Sequence, residues 1–247
     1  LIARNERGYV NLMQTVSEAA VDGFYYKPRV TLDNLRRHRE GLIASSACLS
    51  GIVMRNIDRG NPAEALRWAE TFRDLFEPGN FYIEIQDHGI TTESGNTEEW
   101  INRQLIQLAE QVGVKVIATN DFHYLTREDA PVQDIMQCIG MNAKVDDPNR
   151  MRMHGSEFYM KSEQETRALF PYCPEACDNT LEIADKCDVE LEWGKIILPR
   201  YPLLDPGETH ESQFRRECEE GLAKRYGPDW ETKVVNGISV KERFEFE

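Results

Sequence analysis

The chain has 247 residues, of which 43 are acidic and 29 are basic, so its formal net charge is −14 with neutral histidines. This excess of carboxylates argues against tight binding of a nucleic-acid backbone by this segment alone, because such binding needs clustered Lys and Arg. With 40% hydrophobic residues and only 27 Gly and Pro together, the composition excludes a disordered or collagen-like chain and predicts a folded core.

The first fifth of the chain predicts one helix and one strand. Apolar side chains at helical spacing indicate a helix between residues 7 and 21, namely Val10, Met13, Val16 and Ala20. Leu42–Ala44 is a short strand candidate. Cys48 follows at its carboxyl end, among small residues that leave room for a ligand.

The middle of the chain alternates helices and strands. A helix start is predicted at Asn61, as a cap followed by Pro62 and by Glu64, which can return to the cap. Phe81–Ile85 reads as a strand, and 114–118 as the next one. Between them a helix that stops at Gly113 has an apolar side made of Trp100, Ile101, Leu105, Leu108 and Val112. Strand, helix, strand with short connections predicts parallel pairing by right-handed crossover.

The second half reads as mostly helical. Thr126 begins a capping box before a helix with Val132, Ile135, Met136 and Ile139, and Ser162 begins another capping box. Further helices are predicted at 174–187 and 209–226. The proline-rich stretch 198–207 reads as an extended connector, which places a soft domain boundary near Pro206.

Candidate ligands follow the predicted parallel strands. Asp121 and His123 leave the strand 114–118 as an Asp-x-His pair, two residues apart and therefore on one face. Together with Cys48 they would offer S, N and O donors, which suit Zn²⁺ better than Ca²⁺. From spacing alone, hydrogen bonding within the loop and core packing of Cys48 remain the simpler alternatives.

The other histidines and cysteines give weaker evidence of a functional site. His88 follows strand 81–85 and can be a rim residue, a ligand or a turn histidine. Cys173 and Cys177 have no second pair at zinc-finger spacing and are interpreted as packing. The sequence contains no P-loop, nucleophile elbow or paired-Asp motif, so metal binding is the only catalytic hypothesis with internal support. With six cysteines and an uncharged run no longer than residues 41–54, it predicts a reduced, cytoplasmic protein without a membrane span.

Several segments, taken together and in order, resemble one family. They include Gly23-Phe24-Tyr25-Tyr26-Lys27-Pro28-Arg29, and also residues 3–12, 41–51, 118–124, 146–150, 157–162, 182–187, 198–199 and 221–227. This pattern resembles the bacterial replicative DNA polymerase III alpha subunits, the C-family polymerases. It covers their PHP (polymerase and histidinol phosphatase) domain and the start of the polymerase core.

The resemblance implies a fold and a site. The fold would be a distorted parallel (β/α) barrel of the PHP type at residues 1–205, incomplete at its N-terminus, with the start of the polymerase core at 206–247. Cys48, Asp121 and His123 match family metal ligands, for Zn²⁺, Mn²⁺ or Mg²⁺, whereas no ligand position matches His88. The start at Leu1 and the end at Glu247 are expected to be cuts through a longer polypeptide.

The resemblance also implies a function. The parent protein would be a DNA-directed DNA polymerase that uses Mg²⁺ at a site outside this chain and acts on primer-template DNA and dNTPs. Its expected partners are a proofreading subunit and a sliding clamp. Within it, this segment would be a metal-dependent 3′–5′ exonuclease or a scaffold that docks the proofreading subunit. A free-standing phosphoesterase of the histidinol-phosphatase type is the remaining alternative.

Overall fold

Contacts divide the chain into two units, residues 1–191 and 192–247, in the computed structural model. The structure describes residues 1–194, 196, 198–199, 201–202 and 205–247. In the first unit the strands are β1 (Ile2–Ala3), β2 (Leu42–Ser45), β3 (Phe81–Ile85) and β4 (Lys115–Ala118). Its helices are α1 (Glu6–Val21), α2 (Leu32–His38), α3 (Ile52–Asp58), α4 (Pro62–Leu75), α5 (Glu98–Val112), α6 (Ala130–Gly140), α7 (Glu163–Leu169) and α8 (Glu175–Lys186).

One mixed sheet organises the first unit. Its strands lie in the order β1-β2-β3-β4, and β2, β3 and β4 run parallel, with Ala44 opposite Phe81 and Ile85 opposite Ala118. The predicted α/β class and parallel pairing are therefore confirmed. Strand β1, which no sequence pattern predicted, pairs antiparallel with β2 at the edge of the sheet. In the part of the chain that is described, this sheet is open.

The main core lies on one face of the sheet, under α3, α4 and α5. The buried residues of α5 repeat every three or four positions, so one side of this helix packs on the sheet. Its predicted stop is confirmed, because Gly113 takes the left-handed conformation that ends the helix. Trp100 was placed on the apolar side and is instead exposed, one position out of phase with buried Ile101.

Helix α8 covers the amino-terminal part of the other face. Ile183 packs there against Ile43, Tyr82 and Ile117. The Glu182 carboxylate accepts hydrogen bonds from Lys115, from Lys186 at 2.8 Å and from the Tyr82 hydroxyl at 3.1 Å. The two lysine partners are the main reason that the pKa of Glu182 falls from 4.5 to about 2.

Replacing Glu182 by Gln should make stability less dependent on acid pH. The Glu182 carboxylate is ionised in the folded state, so its contribution is complete above pH 4.5 and is lost as pH falls toward 2. We expect Glu182→Gln to lower the free energy of unfolding at pH 7 by on the order of 1 kcal/mol, since the group is partly exposed. Urea unfolding at pH 7 and pH 3 measures the difference, which should shrink at pH 3. Glu110→Gln, on the exposed side of α5, is the matched control, and an equal pH response would contradict the assignment.

Two helices present their apolar side to solvent. The predicted apolar side of α1, which includes Val10, Met13 and Val16, is exposed, and α1 packs instead through Gly8, Asn11, Thr15 and Ala19. Helix α6 likewise exposes Val132, Ile135, Met136 and Ile139 and buries Cys138. The periodicity located both helices correctly. In α1 the small residues decide which side faces the sheet, because they permit close approach to the chain at Gly41.

Local predictions about caps and cysteines had mixed outcomes. Both capping boxes, at Thr126 and Ser162, are confirmed. The predicted helix start is confirmed, with Asn61 as the N-cap residue and Pro62 as the first residue of α4, although the Asn61 side chain makes no capping hydrogen bond. Cys173 and Cys177 are buried in the core as interpreted, and burial raises the pKa of the Cys173 thiol to about 12. All six cysteines carry free thiols.

The second unit contains α9 (His210–Tyr226), a hairpin of β5 (Val234–Val235) and β6 (Ile238–Ser239), and α10 (Val240–Phe246). Asn236 and Gly237 both have positive φ, as a tight hairpin turn requires. The predicted connector 198–207 lies partly outside the described residues. The two units divide between residues 191 and 192, earlier than the predicted domain boundary at 205/206. Both positions lie between α8 and α9, where no described residue is helix or strand. The domain assignment stays a prediction. Among the described residues no helix is both long and apolar enough to cross a membrane.

Candidate metal centre

Three loops meet at the carboxyl edge of the parallel strands. Cys48 follows β2, His88 follows β3, and Asp121 and His123 follow β4. Because the three strands are parallel and adjacent, their carboxyl ends lie along one edge, where α/β proteins commonly place binding sites. The loops predicted from the sequence to carry ligands are therefore neighbours.

The turn after β4 places Asp121 and His123 beside each other. The Nδ1 atom of His123 lies 2.9 Å from the backbone oxygen of Asp121 and 4.0 Å from its Oδ1. Because a carbonyl oxygen only accepts, Nδ1 carries a proton, and in the neutral form of the ring Nε2 then has the free lone pair. The side chains are 37% and 50% exposed, so both can reach a ligand from solvent.

A second segment holds this turn in place. The backbone oxygen of Phe158 accepts the His123 N–H at 2.7 Å, and the Phe158 ring contacts the His123 ring edge-on, with centroids 5.8 Å apart. The Asn120 side chain donates to the Tyr159 backbone oxygen at 2.8 Å. The turn is thus fixed by residues that lie 35 and 39 positions later in the chain.

His88 proves to be buried and linked to the same turn. Its Nε2 accepts the backbone N–H of Asp121 at 3.2 Å, which puts the ring proton on Nδ1, 3.4 Å from Oε1 of Glu98. The other carboxylate oxygen of Glu98 accepts the backbone N–H groups of His88 at 2.7 Å and Ile90 at 2.9 Å. The His88 and Glu98 side chains are each 2% exposed. A turn histidine was the favoured interpretation, and Glu98 was not singled out.

A polar cluster lies on the sheet face beside this edge. Glu84 accepts hydrogen bonds from the hydroxyls of Ser45 and Thr119. Ser45 is the last residue of β2, and Thr119 directly follows β4. Gln86 donates to Thr119 at 2.9 Å. Sequence reasoning missed this cluster, although Glu84 alternates with the apolar residues of β3 and so faces the side opposite the main core. Nearby, burial raises the pKa of the Asp87 carboxyl.

The donors present fit a divalent cation in part. The Asp121 carboxylate and the free Nε2 of His123 are ligand types that Zn²⁺ and Mn²⁺ accept, and a histidine whose other nitrogen donates to a carbonyl is the usual arrangement of a metal ligand. Across the described part of the chain, no three His, Cys, Asp or Glu side chains form a group that could hold a metal ion. The structure therefore brings Asp121 and His123 together without joining Cys48 to them.

Cys48 sits in a strained loop at the same edge. The preceding residue, Ala47, has a positive φ of 61°, a conformation unfavourable for a residue with a Cβ. The Cys48 backbone oxygen accepts the Gly51 N–H at 2.7 Å, which closes the turn before α3. The thiol is partly exposed and free. Its role as a ligand stays a prediction.

Comparison with known proteins gives the site a family context. Residues 1–88 match the PHP domain family. The chain is 39% identical, over 100% of its length, to DNA polymerase III subunit alpha of Treponema pallidum. Proteins of the same name from Borreliella burgdorferi and Thermus aquaticus are each 40% identical over 92% and 93% of the chain. The chain spans only 19–20% of the length of these three relatives.

Proposed function

Because this chain belongs to the family of bacterial DNA polymerase III alpha subunits, we propose that it serves as the PHP portion of a DNA-directed DNA polymerase. The parent protein would extend a primer with dNTPs on template DNA during replication, using Mg²⁺ at a site outside this chain. The observation that carries the proposal is the match along the entire chain. That match continues through the second unit, which favours a polymerase over a free-standing phosphoesterase of the histidinol-phosphatase type.

Within that protein, the carboxyl edge of the sheet would be a metal-dependent 3′–5′ exonuclease site. Asp121 and His123 would hold a divalent cation, Zn²⁺, Mn²⁺ or Mg²⁺, through a carboxylate oxygen and Nε2, and Cys48 would add a thiolate from the neighbouring loop. When bound, such a cation supplies Lewis-acid stabilisation of charge that develops on a phosphodiester. The chain contributes by orienting its ligands, with Nδ1 of His123 held on the Asp121 carbonyl.

The sheet would be part of the distorted PHP barrel. Support comes from the second face, where Ile183 of α8 packs on Ile43, Tyr82 and Ile117, and where hydrogen-bonded Glu84 also lies. A barrel turns one face of its sheet inward, and in barrels that hold a ligand this face lines the cavity. Further strands would then close the sheet around the face that carries Glu84.

The metal proposal predicts loss of binding in one double variant. Asp121→Asn with His123→Ala should weaken Zn²⁺ or Mn²⁺ binding more than about 100-fold, since even an outer partner of a ligand contributes 10–100-fold. Metal bound after dialysis and nucleotide release from the 3′ end of labelled single-stranded DNA are the two readouts. Asp33→Asn with His38→Ala removes the same chemistry from α2 and should change neither.

Unchanged metal content in the first variant would remove Asp121 and His123 from the site. If the wild type binds metal but releases no nucleotide from the 3′ end, the result would favour the second candidate function, a scaffold that docks a proofreading subunit. The exposed apolar sides of α1 and α6 support that second candidate, because large apolar surface is typical of protein contacts. A proofreading subunit would dock on that surface. A sliding clamp would bind elsewhere on the parent protein, and the whole assembly would act in the cytoplasm. Pull-down of a proofreading subunit by the wild type, lost in Ile135→Asp with Ile139→Asp, tests the scaffold.

A further inference from the structure

The buried His88 ring connects the core of the first unit to the turn that carries Asp121 and His123. Its Nε2 accepts the Asp121 N–H, and its face stacks on Phe158 with centroids 4.5 Å apart and planes 7° from parallel. Phe158 in turn accepts the His123 N–H at its backbone oxygen. One ring and its stacking partner thus hold both ends of the turn.

We propose that His88 is a positioning residue of the candidate metal site, an inference that rests on the proposed function. By fixing the Asp121 backbone, His88 holds the carboxylate of Asp121 and Nε2 of His123 in place before a cation arrives. The pair then binds the cation without having to order a loop, which would otherwise oppose binding. His88 itself touches no cation, because its Nε2 is occupied by the Asp121 N–H.

Histidine is the side chain that this place requires. A neutral imidazole offers one acceptor and one donor on opposite sides of a flat ring. Here the acceptor meets the Asp121 N–H, the donor meets Glu98 Oε1, and the ring face meets Phe158. Gln can place a carbonyl oxygen near the position of Nε2 but cannot stack. His88→Gln therefore separates the hydrogen bond from the aromatic contact.

Amide exchange in the metal-free chain tests the positioning role directly. In His88→Ala we expect the Asp121 amide hydrogen to exchange about 3- to 10-fold faster by NMR, the loss expected for one partly buried hydrogen bond. His88→Gln should retain protection within about twofold, since an acceptor remains. The amide of Leu105, in the core of α5, reports whether the unit stays folded and should not change. His38→Gln is the matched histidine control, away from this edge and paired with Glu18.

Co²⁺ titration, followed by its visible absorption, gives the second readout. We expect about 10–100-fold weaker Co²⁺ binding in His88→Ala, and most of the affinity restored in His88→Gln. Unchanged Asp121 exchange and unchanged Co²⁺ affinity in His88→Ala would overturn the proposal. If the wild type binds no Co²⁺ while Asp121 exchange still accelerates, the metal function fails and the role of His88 in holding the turn stands.

Discussion

Glu98→Ala should destabilise the first unit by about 3–5 kcal/mol, because it leaves three donors in and around the core without their acceptor. Glu98 is almost completely buried and accepts three hydrogen bonds, from the N–H groups of His88 and Ile90 and from the His88 ring. Each buried donor left without an acceptor weakens folding by about 1–3 kcal/mol. Equilibrium urea unfolding followed by circular dichroism measures the change.

The neighbouring carboxylate provides a matched control. Glu99 is exposed and pairs with Arg103 one turn along α5. Such surface pairs contribute about 0.3–0.5 kcal/mol, so Glu99→Ala should change the free energy of unfolding by less than about 1 kcal/mol. Similar losses in Glu98→Ala and Glu99→Ala would mean that the hydrogen bonds of Glu98 do not stabilise the fold.

Glu98→Gln distinguishes the contribution of Glu98 to folding stability from its contribution to the order of the turn at Asp121. The Gln oxygen can still accept the two backbone N–H groups, whereas its NH₂ group would face Nδ1 of His88 and require an acceptor there. The ring proton would then move to Nε2 and oppose the Asp121 N–H. We therefore expect a folded variant in which the turn at Asp121 loses protection, as in His88→Ala.

The turn that carries Asp121 and His123 could be located from the sequence because the relevant signals are local. An Asp-x-His pair directly after a strand puts two donors on one side, and parallel strands put that turn at a common edge. The buried stripe of α5 also contained a usable signal. Glu98 lies three positions before Ile101 and seven before Leu105, so a carboxylate is in phase with the apolar residues. A charged residue at a buried position of a helix indicates that it has a buried hydrogen-bonding partner, but the spacing within the helix does not identify that partner.

The links around the turn needed tertiary structure. His88, Asp121 and Phe158 lie 33 and 37 positions apart, and no periodicity in the sequence relates them. Similarly, helical spacing showed that α1 and α6 each have an apolar side, but it does not say which side meets the sheet. In α1 that choice follows from steric fit at Gly8, a contact with residue 41 that is invisible to a pattern within one helix.

Gly8→Ala should destabilise the first unit by about 3 kcal/mol, at the upper end for overpacking. A Cβ at Gly8 would lie 1.9 Å from the backbone oxygen of Gly41, which backbone cannot accommodate without moving. That oxygen also accepts the Arg4 N–H at 2.9 Å, beside the pairing of Ala3 with Leu42, so a shift would break the contact between β1 and β2. Urea unfolding gives the loss in stability, and amide exchange at Arg4 reports the loss of pairing.

Gly140→Ala in α6 distinguishes crowding from the general effect of adding a methyl group to a helix. A Cβ at Gly140, the last residue of α6, meets no atom within 4 Å, so Gly140→Ala should stabilise by at most the about 0.5–1 kcal/mol by which alanine favours a helix interior over glycine. The two substitutions should therefore have opposite signs. If Gly8→Ala instead leaves stability and Arg4 exchange unchanged, α1 does not pack against the chain at Gly41, and its apolar side is free to face the sheet as its periodicity suggested.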